Sequence, residues 1–269
     1  MAKIGVIHYN FPGFDFEQFL RYCVDTGYQY VELQIGDVWD GKDPAAGPEK
    51  KAEAVRGQMD RLGLKASALS AGNDFLVVGE GAMAAQVKRM ERVARLARIL
   101  GTGVLRTEGG WPKEGMAESQ WVPLISEGLK RCADLAPKLD VYFALDNHGI
   151  VTNDGDRQVV IFRAVNSKYV GANLDTMNYR WAGHDLETIR HFYDVVAPYA
   201  LHTHMKDGTG SLRNYKGAAL GEGEIDLAYA VRVLKGSGYD GVWTAEYEGP
   251  EAAGGVGYAK CFRWLKDHL

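Results

Sequence analysis

The stretch AMAAQVKRMERVARLARILGTGVLRTE, residues 82–108, contains one complete helix-to-strand unit. From Ala82 to Leu100, apolar residues recur at the spacing of one helix face, and Lys, Arg and Glu residues cover the remaining surface. Gly101 follows as a residue that can end a helix in the left-handed conformation. Val104 to Glu108 is then a short run typical of a strand, and it ends in a carboxylate. The residues predicted to face the core are Val87, Met90, Val93, Ala94, Ala97 and Leu100.

The same unit recurs along the whole chain of 269 residues, with glycines at three further joints, Gly27, Gly63 and Gly238. Eight strand–helix pairs are the number that a TIM barrel needs, and no linker or change of composition divides the chain. We therefore predict an α/β fold, a single (β/α)8 TIM-barrel domain over residues 1–269. The rival, a doubly wound open sheet that binds a dinucleotide, lacks the GxGxxG sequence that it requires. The predicted strands are Lys3 to His8, Gln29 to Gln34, Lys65 to Leu69, Val104 to Glu108, Val141 to Asn147, Val170 to Asp175, Leu201 to Lys206 and Gly241 to Glu246.

The overall charge argues for a small partner. The chain has 31 Lys+Arg and 35 Asp+Glu, a net charge of −4, so it lacks the basic balance expected of a nucleic-acid or acidic-membrane surface. Its three cysteines form no CxxC pair, and neither a signal peptide nor a long apolar run is recognised. We expect a cytoplasmic protein that binds a small molecule and binds no nucleic acid or membrane.

Ionisable residues close four consecutive predicted strands. Asp146, Asp175, His204 and Glu246 would converge at the carboxyl end of the barrel, where TIM barrels place their active sites. Three carboxylates at one point repel one another unless a cation neutralises them, so we predict one divalent metal ion. Oxygen and nitrogen donors without sulfur suit Mn²⁺ best, and Mg²⁺, Co²⁺ or Zn²⁺ are also compatible. The alternative is that each acidic residue only caps the helix that follows it.

Four motifs carry a family resemblance: His204-Met205-Lys206-Asp207, the segment LGEGEID at 220–226, GYDG at 238–241 and YVEL at 30–33. With them, the chain resembles the sugar phosphate isomerase/epimerase family of the xylose-isomerase-like TIM barrels over nearly its whole length. The resemblance implies a single divalent metal on the same four strand-end residues and a small-molecule carbohydrate as substrate. It also implies a homo-oligomer, because barrels of this group commonly associate through the loops that close their sites. Two positions depart from the family pattern. Asp146 stands where the family usually has Glu, which puts its reach as a base in doubt, and Asn178 stands where several epimerases have His, which disfavours that epimerase subtype.

A metal that polarises a carbonyl or hydroxyl oxygen acidifies the neighbouring C–H, and a nearby base can then remove the proton to give an enediolate. We predict a metal-dependent sugar or keto-sugar isomerase or epimerase, with Glu246, His148 and Asp146 as catalytic residues. A lyase or dehydratase acting on a keto-sugar, inosose or keto-glycoside at the same site is the first alternative. An apurinic-site endonuclease and a sugar-binding barrel without catalysis are further alternatives, and the charge argues against the endonuclease.

Further polar and aromatic residues fall in the predicted strand ends and loops. Lys206 and Asp207 are expected to form an ion pair, and Glu248 to lie at the rim. Tyr179 and Phe11 could stack on a sugar or only anchor their loops. The glycine run at 254–257 raises a phosphate site as an option, or else a mobile loop. The residues predicted to bind substrate are Arg106, Glu108, His202, Lys206, Trp111 and Trp181. For His202 the alternative is a contact that supports a metal ligand, and for Arg106 and Glu108 it is an ion pair with each other.

Overall fold

Eight parallel strands close into a barrel in the computed structural model, which describes residues 2–39 and 47–269. Neighbouring strands follow one another along the chain, and the first strand pairs with the last, as a (β/α)8 barrel requires. The predicted fold class is therefore confirmed, and each predicted strand lies within two residues of an observed one. The barrel strands are β1 (Ile4–Ile7), β2 (Tyr30–Gln34), β3 (Lys65–Ser70), β4 (Val104–Thr107), β5 (Tyr142–Asp146), β6 (Val170–Asp175), β7 (Ala200–Met205) and β10 (Trp243–Ala245).

Helices connect the strands on the outside of the barrel. The helix predicted over residues 82–100 is present from Glu80 to Leu100, and Met90, Val93 and Ala97 on its predicted inner face are fully buried. The described helices are α1 (Phe16–Thr26), α2 (Pro48–Arg61), α3 (Glu80–Leu100), α4 (Trp121–Leu139), α5 (Gly155–Val165), the single turn α6 (Asn178–Trp181), α7 (Leu186–Val196), α8 (Leu227–Gly236) and α9 (Val256–His268). Among these helices, none combines the length and apolar character needed to span a lipid bilayer.

Glycines end the helices as predicted. Gly27, Gly63, Gly101 and Gly238 all have positive φ angles, between 71° and 107°. An L side chain is strained in this conformation, whereas glycine is not. The turn after each of these helices is therefore fixed locally, and it directs the chain into the next strand.

A small antiparallel hairpin follows β7 and was not predicted: β8 (Asp207–Thr209) pairs with β9 (Lys216–Ala218). Asp207 begins this hairpin, and its carboxylate accepts hydrogen bonds from the backbone N–H groups of Gly208, Gly221, Gly223 and Ile225 at 2.8–3.2 Å. The expected ion pair between Lys206 and Asp207 is therefore wrong. Asp207 instead binds the backbone of the 220–226 segment and holds it against the hairpin, and the Lys206 side chain pairs with other carboxylates.

Candidate metal centre

The four ionisable strand-end residues lie where the sequence predicts them. Asp146 and Asp175 are the last residues of β5 and β6, His204 is the last but one of β7, and Glu246 directly follows β10. All four are buried. They belong to adjacent strands of the closed barrel, so their side chains reach a common region at the carboxyl end of the sheet.

Three of the four form a group that could hold a metal ion. One ligand atom each from Asp175, His204 and Glu246 lies within 4.8 Å of the other two. His204 Nδ1 is 3.8 Å from Asp175 Oδ2 and 2.6 Å from Glu246 Oε2. The first contact is too long for a hydrogen bond and the second lacks its geometry, so Nδ1 and Asp175 Oδ2 have no hydrogen-bond partner among the described residues, although Nδ1 keeps its close contact with the Glu246 carboxylate. Unpartnered buried atoms are costly, and a cation between them would supply the missing partner. The donor set of two carboxylates and one imidazole therefore fits a divalent ion.

The electrostatics of this group also favour a cation. Burial, together with the carboxylates of Glu246 and Asp146, outweighs the attraction of Lys206 and raises the pKa of Asp175 to about 7. Burial opposes the ionisation of Glu246 as well, but Lys206 and His204 outweigh it and hold the pKa of Glu246 well below its ordinary value. The ionised form of Asp175 is thus destabilised where it stands, and a divalent cation would reverse this effect.

Asp146 is not part of the group formed by Asp175, His204 and Glu246. Its Oδ2 lies 2.5 Å from Nη1 of Arg106, and its Oδ1 accepts a 2.6 Å hydrogen bond from Asn173. His148 Nδ1 is 3.8 Å from the same Oδ2. Both oxygens of Asp146 are therefore engaged by neighbours, and its predicted roles as ligand and as base remain predictions.

Glu32 is a buried carboxylate beside the site that the prediction missed. This fully buried side chain on β2 accepts a 2.6 Å hydrogen bond from His204 Nε2, and its Oε1 lies 3.0 Å from Arg106 Nε. Burial alone would raise the pKa of Glu32, but its interactions with His204, His202 and Arg106 lower it to about 2. One signal in the sequence could have revealed it, since a carboxylate in the middle of a buried strand requires a partner.

His202 does not line the cavity above this group. It is buried, and each ring nitrogen has a partner: Nδ1 is 2.8 Å from Asn173 Oδ1, and Nε2 is 3.1 Å from Thr244 Oγ1. Burial is the main cause that lowers the pKa of His202 to about 4, so the ring is neutral near pH 7. His202 thus supports Asn173, which in turn holds Asp146, and its predicted contact with substrate remains untested.

A cavity of about 150 Å³ opens beside the proposed ligand group. Trp111 and His148 are both partly exposed at its mouth, and their rings meet edge to face with centroids 6.4 Å apart. The predicted substrate residues Trp111, Trp181 and Lys206 and the predicted catalytic residue His148 are thus brought together. The lining residues are Trp111, His148, Gly149, Asn178, Trp181, Lys206 and Glu248.

Lys206 is the cation of this cavity. Its Nζ lies 2.9 Å from Glu246 Oε1, 2.8 Å from Glu248 Oε2 and 3.4 Å from Asn178 Oδ1. Burial would lower the pKa of Lys206, but Glu246, Asp175 and Glu248 outweigh burial and raise it well above its ordinary value. The ammonium form of Lys206 is therefore favoured, and it faces the two carboxylates that follow β10, Glu246 and Glu248.

Arg106 and Glu108, the other predicted substrate residues, close β4 on the opposite side of the site. Arg106 is buried and forms close ion pairs with Glu32 and Asp146. Its contact with Glu108 is longer, with 3.9 Å between Nη2 and Oε1. Arg106 also donates a 2.8 Å hydrogen bond to the hydroxyl of Ser70. Neither residue lines the cavity, so their contacts with substrate stay a prediction.

Three further sequence hypotheses concern loop residues. Tyr179 is buried and donates its hydroxyl to Gln158, and Phe11 stacks on Tyr258, so both anchor their loops. In the glycine run, the N–H groups of Gly255 and Gly257 bond to backbone carbonyls of the same segment. These two groups are therefore not available to a phosphate.

Comparisons with known proteins agree with this fold. A family model described as "Xylose isomerase-like TIM barrel" matches residues 20–268. The fold is similar to a xylose isomerase domain protein from Alicyclobacillus acidocaldarius, with a TM-score of 0.77, 19% identity, and 99% and 98% of the two chains covered. It is also similar to an IOLI protein with a binding zinc atom, with a TM-score of 0.79, 18% identity, and 99% and 96% covered. A D-tagatose 3-epimerase-like protein gives a TM-score of 0.78, 18% identity, and 100% and 97% covered. No curated protein sequence matches the chain.

Proposed function

The chain belongs to the xylose isomerase-like TIM barrel family, and we propose that it is a divalent-metal-dependent isomerase or epimerase of a sugar or keto-sugar. One observation carries the proposal: Asp175, His204 and Glu246 present three converging ligand atoms, two of them without a hydrogen-bond partner among the described residues. This group lies beside a cavity with aromatic walls, which is the arrangement that a sugar-processing site requires.

We propose that Asp175, His204 and Glu246 hold the ion and that Mn²⁺ is the preferred metal, with Mg²⁺, Co²⁺ and Zn²⁺ as alternatives. Asp146 stays the predicted fourth ligand, although Arg106 and Asn173 engage its oxygens. When bound, a divalent ion polarises a carbonyl or hydroxyl oxygen of the substrate and so acidifies the adjoining C–H group.

The residues around the group supply the proton transfers. Glu246 and His148 are the proposed catalytic residues, because Glu246 directly follows the last barrel strand beside Lys206 and His148 lines the cavity. Asp146, 3.8 Å from His148, is the third candidate. Lys206 holds its ammonium group in the cavity wall, where it can stabilise negative charge that develops on a substrate oxygen. Removal and return of a proton next to the carbonyl, through an enediolate, gives an isomerase or an epimerase.

We propose a neutral carbohydrate as substrate. The cations described near the site, Arg106 and Lys206, are each already engaged by two carboxylates, and the glycine run at 254–257 uses two of its N–H groups internally. A phosphate group entering this cavity would meet the carboxylate of Glu248, and Lys206 in the lining is already paired with Glu246 and Glu248. Trp111 and Trp181 can instead stack on the apolar face of a sugar ring.

A lyase or dehydratase at the same site is the second candidate. The ammonium of Lys206 favours it, because a cation in the cavity wall can stabilise the negative charge that develops on a departing hydroxyl or glycosyl oxygen, and His148 in the same cavity can supply the proton. The two activities differ in product mass, which is unchanged after isomerisation and lower after loss of water or an alcohol.

The experiment that tests the proposal is solvent deuterium exchange. The Mn²⁺-loaded protein is incubated in D₂O with free ketoses and keto-glycosides, and the products are examined by NMR and mass spectrometry. We expect deuterium on the carbon next to the carbonyl, with none after chelation of the metal or in the Asp175→Asn variant. Exchange that is equal with and without metal would contradict the proposal.

A further inference from the structure

Glu32 lies directly behind the proposed ligand His204, on the far side from the other two ligands. The two side chains are fully buried, and they come from β2 and β7, which are separated by 172 positions in the sequence. The pairing of β2 with β3 shifts register between Val31 and Glu32, at the residue that reaches into the barrel. Such irregularities redirect a side chain, and here the carboxylate of Glu32 points at an imidazole.

The two nitrogens of His204 face different partners. Nε2 is 2.6 Å from Glu32 Oε2, whereas Nδ1 faces Asp175 and Glu246 and makes no hydrogen bond among the described residues. A neutral imidazole carries one N–H and one lone pair. If the N–H is donated to Glu32, the lone pair is directed at the position between Asp175 and Glu246.

Glu32 is itself part of a second possible group with His202 and His204. Both ring nitrogens of His202 are already engaged, by Asn173 and Thr244. The other carboxylate oxygen of Glu32, Oε1, lies 3.0 Å from Arg106 Nε and forms an ion pair with it. This arrangement suits a carboxylate that supports a ligand better than it suits a second metal site.

We propose that Glu32 is a positioning residue for the metal centre: it fixes the orientation of the His204 ring and keeps the N–H on Nε2, so that Nδ1 is the metal-binding atom. The inference rests on the metal centre proposed above. Carboxylates that accept the second N–H of a ligand histidine orient the ring and increase its basicity, and their loss lowers metal affinity about 10- to 100-fold.

The test is Co²⁺ binding to the full chain, followed by calorimetry and by the visible absorption of the bound ion. Glu32→Ala is expected to bind Co²⁺ about 10- to 100-fold more weakly than the parent, with an altered absorption band. Glu32→Gln retains an oxygen that can accept the hydrogen bond from Nε2, so we expect an intermediate affinity. If Glu32→Ala does not fold, the affinity of Glu32→Gln decides the question.

Two reference variants distinguish a failure of the positioning role from a failure of the metal centre. Glu80→Gln removes one exposed negative charge that is paired with Arg131 and has no described contact to His204, so its affinity for Co²⁺ is expected to stay within about twofold of the parent. Asp175→Asn removes a proposed ligand and is expected to abolish tight binding. Parent-like affinity in both Glu32 variants, with binding lost in Asp175→Asn, overturns the positioning role and leaves the metal centre standing. Parent-like affinity in Asp175→Asn overturns the metal centre itself.

Discussion

Lys206 and Glu246 form a buried ion pair, with 2.9 Å between Nζ and Oε1, in which one member lines the cavity and the other is a proposed metal ligand. Glu248 adds a second carboxylate 2.8 Å from the same ammonium. The pair thus connects the proposed substrate cavity with the proposed metal centre. A change at Lys206 should therefore affect catalysis more than it affects metal content.

The first prediction concerns Lys206→Met. Loss of the ammonium removes the group that can stabilise charge on a substrate oxygen, and we expect kcat/KM to fall about 10²-fold or more, as it does when a single oxyanion donor is removed. The variant should retain about one metal ion per chain. Lys216→Met, on the exposed hairpin strand β9, is the matched control and should keep parent activity. Parent-like activity in Lys206→Met would contradict the assigned role.

The second prediction compares Asp146 with Asp175. Asp175 Oδ2 has no hydrogen-bond partner among the described residues, whereas both oxygens of Asp146 are engaged by Arg106 and Asn173. We therefore expect Asp146→Asn to weaken Co²⁺ binding less than Asp175→Asn does, and to reduce stability because a buried ion pair is broken, a loss of about 3–5 kcal/mol. Calorimetry and urea unfolding measure the two effects. Equal losses of Co²⁺ affinity would make Asp146 a full ligand.

The third prediction concerns the charge of the substrate. Because Lys206 is shared by Glu246 and Glu248, a phosphate monoester should be disfavoured in the cavity. We expect kcat/KM for a free ketose to exceed that for the same ketose carrying a phosphate by at least about tenfold, which corresponds to 1.4 kcal/mol. Parallel assays of one sugar in both forms measure this ratio. A preference for the phosphorylated sugar would show that a cation outside the described cavity residues binds it.

The fourth prediction concerns a helix cap. Asp226 accepts a hydrogen bond from the backbone N–H of Tyr229 at the start of α8, and this bond, with the ion pair to Arg190, lowers the pKa of Asp226. A carboxylate with a lowered pKa stabilises the fold above its unfolded-state value of 3.8, and the contribution is lost as pH falls through the folded value. Asp226→Ala should cost about 1 kcal/mol of unfolding free energy at pH 7 and less at pH 3. Urea unfolding at the two pH values tests this, and an equal cost at both would contradict it.

Much of the fold could be predicted because its determinants are local. The apolar face of α3 and the glycine that ends it are consecutive in the sequence, and the same is true of Gly27, Gly63 and Gly238. The strand ends then follow from the rule that βα loops carry the active site of a barrel. This rule correctly located Asp175, His204 and Glu246 at the carboxyl end of the sheet.

The contacts within the site could not be predicted in the same way, because they depend on side-chain reach across non-adjacent strands. Nothing near Asp146 in the sequence indicates that Arg106 and Asn173 engage it, or that Glu32 and His204 meet across the barrel. His202 has the same strand parity as His204, yet the side chains around it occupy both of its nitrogens. Parity predicts the face of a strand but not the partners that a side chain finds there.

The most direct test of the account is the metal content of the purified protein after incubation with Mn²⁺ and removal of the excess, measured by elemental mass spectrometry beside Asp175→Asn. The account predicts close to one ion per parent chain and little in the variant, with both proteins showing the same circular dichroism. Equal metal content in the two folded proteins, or none in either, would contradict a metal centre at Asp175, His204 and Glu246.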